Sequence, residues 1–171
     1  MNVMGIVYNG GFCIGNVLRT NVGNLLGSQK FEQAKNLYWF YIFIMSCVGV
    51  IGGGLMYWFR MAIAGVYTGL EDVSGLLGQL IGIYSLALIP EFILGMNNTV
   101  MRITGNVAKM IVYLLTTFVG LSVLLAVCLC FWMGMGVVGL GVAFGLTTWV
   151  LNVLYLVDIK NMDWKKVSID L

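Results

Sequence analysis

The sequence predicts an all-α, polytopic membrane bundle, and three observations carry that reading. Hydrophobic residues make up 60% of the 171 residues and charged residues only 9%, against about 25% charged in an ordinary soluble domain. Mean hydropathy is +0.96. The apolar residues also fall in runs long enough to cross a bilayer, which needs about 20 residues per helix. The formal net charge of +2 is too small to argue for a nucleic-acid partner. With no histidine in the chain, imidazole ligands and a Ser-His-Asp triad are both excluded. No nucleophile–base or metal constellation appears, so the chain does not read as an enzyme and needs no cofactor.

Five spans are expected, over about 2–26, 31–58, 70–103, 107–131 and 137–157, with a charged tail over 158–171 outside the bundle. The first, closed by Gly27 and Ser28, is the least apolar, with Asn2, Asn9, Asn16, Asn21 and Asn24. That much amide should face protein or water rather than lipid. The second has no charge between Tyr38 and Phe59, and Trp39, Tyr41, Tyr57 and Trp58 mark its ends as interfacial anchors. The third opens on Thr68-Gly69-Leu70-Glu71, which has the pattern of a capping box. At about 1.5 Å per residue it is longer than the membrane is thick, and Pro90 is expected to kink it. The fourth and fifth form a tight hairpin around Gly134 and Gly136. Glycines four apart, at 11 and 15, 49 and 53, and 141 and 145, suit close helix approach. Cys13, Cys47, Cys128 and Cys130 make no C-x-x-C pair and read as buried free thiols.

Charge sets the expected orientation. Arg19, Lys30, Lys35, Arg102, Lys109, Lys160, Lys165 and Lys166 fall on one side of a five-span arrangement, and only Arg60 on the other. The rich side, with the C-terminus, is then cytoplasmic. Arg19 and Arg102 read as snorkelling or carbonyl-capping side chains.

Glu91 is the one acid deep in a span, 11 residues before Arg102. An ionised side chain there costs at least ~2.5 kcal/mol, so it calls for protonation, a cationic partner or a water-filled cavity. Such a carboxyl can trade a proton for a cation. Pro90 beside it is expected to open the helix, as in the broken helices of transporters, or simply to kink it. Asn97-Asn98-Thr99 spells a glycosylation sequon but lies inside the span. Those amides either line the polar path of Glu91 or bond a neighbouring helix.

The segment Val22-Gly23-Asn24-Leu25-Leu26-Gly27-Ser28, followed by Ala34-Lys35, resembles the V-G/S-N-x-L-G-A-G segment of MATE (multidrug and toxic compound extrusion) transporters. Val100-Met101-Arg102-Ile103-Thr104-Gly105-Asn106 resembles that family's V-L-R-G-x-G segment. Between them, Ile81-Gly82 to Glu91, with Tyr84 and Pro90, resembles the part of the tenth helix where eukaryotic members carry an acidic transport residue. Asp163-Trp164-Lys165 looks like the D-W that closes many members. The match runs from about Gly5 to Val167.

The resemblance implies helices eight to twelve of a twelve-helix antiporter. Such a protein exports organic cations or amphipathic compounds against protons or sodium, with Glu91 as the coupling residue. It departs at Asn21, where the family has arginine, at Ile103, where it has glycine, and in lacking the first lobe and helix seven. Transport would then need a missing lobe or a partner chain. A structural membrane subunit of a larger assembly is the alternative.

Overall fold

The computed structural model describes residues 3–165, with side-chain surroundings from Cys13 onward. Lys166 and Val167, with Asn2 and the surroundings of Asn9 and Gly11, lie outside the described residues.

Four described helices are long and apolar enough to cross a membrane: α2 (Phe31–Trp58), α4 (Glu71–Ile103), α5 (Val107–Trp132) and α6 (Gly136–Asn161). A 25-residue helix, α1 (Val3–Gly27), precedes them. It has the length of a span but, with its asparagines, falls outside the four. A short helix not expected from the sequence, α3 (Arg60–Tyr67), follows α2 directly. Eight residues cannot cross a bilayer, so the segment reads as loop by length alone, yet nothing between Arg60 and Val66 breaks a helix except Gly65.

Further boundaries differ from expectation. The last helix runs to Asn161 rather than ending at 157. Asp158 did not end it, because its carboxylate reaches back 3.4 Å to Lys109 on α5. The tail does not leave the bundle at once: Trp164 is buried and its ring lies 5.9 Å from that of Tyr38. The capping box is not formed. Leu70 is the N-cap, and the Thr68 hydroxyl accepts a hydrogen bond from the Leu70 N–H instead. Helix α5 widens into π-turns over Leu115–Leu121 and Cys128–Trp132. A tight turn then joins it to α6, and Gly134 and Gly136 both hold positive φ there, where a Cβ would be strained.

Helix α4 is the axis of the bundle and touches α1, α2, α3 and α6. Glycines allow it. A Cβ on Gly49 would lie 2.9 Å from the Ile89 Cα, and one on Gly53 2.5 Å from the Ser85 carbonyl oxygen. Two of the four-apart glycine pairs therefore do set helices in contact: Gly49 and Gly53 bring α2 against α4, and Gly141 and Gly145 bring α6 to Leu80 and Ala87. Gly15 brings α1 to Gly95 and Thr99. The cysteines are free but not buried: Cys13 and Cys47 are exposed, Cys128 and Cys130 half-buried. They sit on outward helix faces, where a bilayer rather than protein would cover a thiol.

Candidate functional site

Positions seven apart on a helix return to nearly the same direction, about 10.5 Å along the axis. Tyr84, Glu91 and Asn98 therefore form one line on α4, and Arg102 continues it to the exposed helix end. Helix α1 flanks this line through Gly95 and Thr99, and α6 flanks it through Leu80 and Ala87. Among the described residues, helices α1 and α6 share no contact with each other. The line thus faces an open seam between them.

The groups on that seam are poorly satisfied. Glu91 is half-buried, and among the described residues its carboxyl makes no hydrogen bond or ion pair. The Asn98 Oδ1 is buried without a described hydrogen-bond partner. Tyr84 is half-buried, its ring 6.0 Å from Phe144 of α6. A carboxyl in an apolar wall with no cation beside it is suited to bind a proton or a cation that arrives from the seam.

Asn97 is placed elsewhere. It points about 100° away from Asn98 and is fully buried. The Tyr38 hydroxyl donates to Asn97 Oδ1 at 2.6 Å, and Asn97 Nδ2 donates to Asn152 Oδ1 at 2.9 Å. Asn152 Nδ2 in turn donates to the Pro90 carbonyl at 2.7 Å and the Thr148 carbonyl at 3.0 Å. This chain of donors ties α2, α4 and α6 together. Of the two roles left open for the Asn97-Asn98 pair, Asn97 takes the helix-bonding one.

Pro90 does not open the helix, because α4 runs unbroken through it. A proline removes one backbone hydrogen bond. The carbonyl left without its intrahelical donor is that of Leu86; α2 and α6 pack beside this turn through Ile89 and Ala87, and Asn152 bonds the Pro90 carbonyl one turn on. Asn16 is exposed on α1, and its amide makes no described hydrogen bond. It does not join the line.

The loop residues are spread along one end of the bundle. Gly23 and Gly27 have open space where a Cβ would be, so neither mediates a close approach. Asn24 and Arg102 are exposed. Gly105 has φ 73°, the left-handed turn between α4 and α5. Tyr38 and Asn152 were not singled out from the sequence. The signal for Asn152 was present, as the one amide within the apolar run of the last span.

Residues 1–128 match the family model of MatE. The chain belongs to the MatE family. Its fold matches the crystal structure of the eukaryotic MATE transporter AtDTX14 with a TM-score of 0.89 at 20% sequence identity, over 96% of this chain and 37% of that one. The MatE chain thus spans little more than a third of the transporter it resembles. Among curated proteins, none matches it in sequence. The all-α membrane-bundle expectation and the family resemblance both hold.

Proposed function

We propose that this MatE chain forms part of a secondary antiporter that exports organic cations or amphipathic drug-like compounds in exchange for protons or sodium. Glu91 would hold the coupling ion and the cationic substrate in turn. The observation that carries this reading is the Glu91 carboxyl, half-buried deep in a span without a described partner, facing the open seam between α1 and α6. Alternating access rocks two lobes about a central site, so the reading also calls for a first lobe or a partner chain across the seam. The excess of lysine and arginine at the end holding the α1–α2 and α4–α5 turns supports a cytoplasmic C-terminus.

The test is to coexpress the chain with a matching first part, reconstitute both in liposomes and impose a pH gradient. Efflux of an organic cation is expected, and Glu91→Gln should abolish its coupling to the gradient. Efflux that survives Glu91→Gln unchanged would remove the role assigned to Glu91.

A second reading, a transport-inactive structural subunit, is favoured by the satisfied Tyr38–Asn97–Asn152 network and the glycine contacts of α4, which make a rigid scaffold. Absence of efflux with a folded, assembled pair would decide for it.

A further inference from the structure

At the end of the bundle away from Gly105, a cavity of about 570 Å³ opens between the end of α2, the start of α3, the first half of α4 and the start of α6. Tyr57, Arg60 and Met61 form one wall, and Gln79, Ile83 and Leu86 lie on the other. On α4, Gly75, Gly78 and Gly82 recur three and four residues apart on one helix face, and Met61 and the Arg60 stem pack over Gly78 and Gly82. A side chain at Gly78 would collide with Met61, whereas one at Gly82 would make ordinary contact and one at Gly75 would meet open space. A Cβ on Gly78 would lie 2.5 Å from the Met61 sulfur, and one on Gly82 3.5 Å from the Arg60 Cδ.

Arg60 is half-buried at this cavity with its guanidinium 4.1 Å above the Tyr57 ring. That is the one described contact of its guanidinium: no carboxylate pairs with it, and the ion pair among the described residues is Lys109–Asp158. Glu71 and Asp72, in the first turn of α4, are exposed and do not reach it. Stacking on an aromatic face leaves the guanidinium's planar fork of N–H donors available for an oxyanion.

The depth of the site is marked by its neighbours. Trp58 at the end of α2 and Trp132 at the end of α5 are both 84% exposed, as expected of rings at the headgroup boundary. From Arg60 at that level the cavity descends along α4 to Leu86, which is 66% exposed on an apolar face. One end thus offers a fixed cation at headgroup depth, and the other offers apolar wall at acyl-chain depth.

We infer that this groove is a phospholipid site, with Arg60 holding the lipid phosphate and the Ile83 and Leu86 wall of α4 seating the upper part of an acyl chain. It is independent of Glu91 and of the transport reading. The cation–π contact orients the guanidinium, and Gly78 and Gly82 let Met61 and the Arg60 stem lie close on α4 beside the groove. Arginine rather than lysine matters here, since its fork matches a phosphate through two parallel hydrogen bonds.

Native mass spectrometry of the purified chain in mild detergent, titrated with phosphatidylglycerol, tests this. One lipid is expected to stay bound to the unmodified chain, and Arg60→Gln should weaken that binding about tenfold, the worth of a charge-assisted contact. Arg60→Lys should fall between the two. Diacylglycerol with the same acyl chains, which lacks the phosphate, should not be retained by the unmodified chain. Its retention at the level of phosphatidylglycerol would overturn the proposal, and this arm needs no variant to fold. Equal lipid retention by Arg60→Gln, with helical circular dichroism unchanged, would overturn it too. A third arm adds inorganic phosphate alone. A rise in melting temperature there equal to that given by the lipid would identify a small-anion pocket and remove the lipid assignment.

Discussion

Asn97 and Glu91 stand six residues apart on α4, in one helix and one membrane, yet the helix turns them into different surroundings. Asn97 points between α2 and α6, and both ends of its amide are engaged. Glu91 points into the seam between α1 and α6, and its carboxyl engages nothing described. A buried polar group without a hydrogen bond costs free energy, more so when it is charged. The first arrangement therefore stabilises the bundle, whereas the second persists at a cost and is the one available for a ligand. Two asparagines adjacent in sequence split along the same boundary: Asn97 is tied in, and the Asn98 oxygen, on the Glu91 line, is left without a described donor.

The strongest way to break this contrast is to separate the helices that create it. Gly53→Ala places a methyl group 2.5 Å from the Ser85 carbonyl oxygen. Backbone cannot yield as a flexible side chain can, so α2 must move off α4 and take Tyr38 away from Asn97. A loss of about 3 kcal/mol or more is expected, read as a fall in thermal unfolding temperature in detergent. The neighbouring Gly54 has open space at the same atom, so Gly54→Ala should be neutral or slightly stabilising through helix propensity. Equal losses at both positions would show that the close approach of α2 and α4 is not what holds the tied side together.

A smaller effect is expected from cutting the network without moving the helices. Asn152→Leu removes the acceptor of Asn97 Nδ2 and the donor to the Pro90 carbonyl, leaving a buried amide unmatched. About 1–2 kcal/mol should be lost by the same measurement. A variant as stable as the unmodified chain would mean that the network is ornamental to the fold.

How much of this was legible beforehand follows from what each feature depends on. The spans follow from apolar run length, which is a local property, so 31–58 is matched by α2 as it stands and the starts of α4, α5 and α6 within a residue. Helix α3 was missed because length argues against a span and says nothing of an eight-residue helix. The end of α6 was misplaced because a charged residue reads as the exit from the membrane, whereas Asp158 has a partner on α5. Glu91 could be found because an acid in an apolar run is anomalous by itself. The division of labour between Asn97 and Asn98 could not, since it depends on which neighbour lies in each of two directions 100° apart. For the same reason the opening at Pro90, one of its two readings, does not occur. Its intrinsic tendency to break a helix is local, but the Asn152 amide and the flanking helices are tertiary.

The smallest effect is the one that tests the open side most directly. Glu91→Gln keeps the shape of the side chain and removes the ionisable group. No described partner is lost, so no bond is broken. If the carboxyl is ionised in the resting chain, the variant also sheds an uncompensated charge in an apolar wall. The sign is therefore neutral to stabilising, with a change within about 0.5 kcal/mol unless that charge is present. The pairing with Asn152→Leu gives the result its meaning: two substitutions of polar residues deep in spans should differ in sign or in size. A loss at Glu91→Gln as large as that at Asn152→Leu would show that the carboxyl is itself tied into the fold, and the contrast between the two faces of α4 would fail at the residue on which it rests.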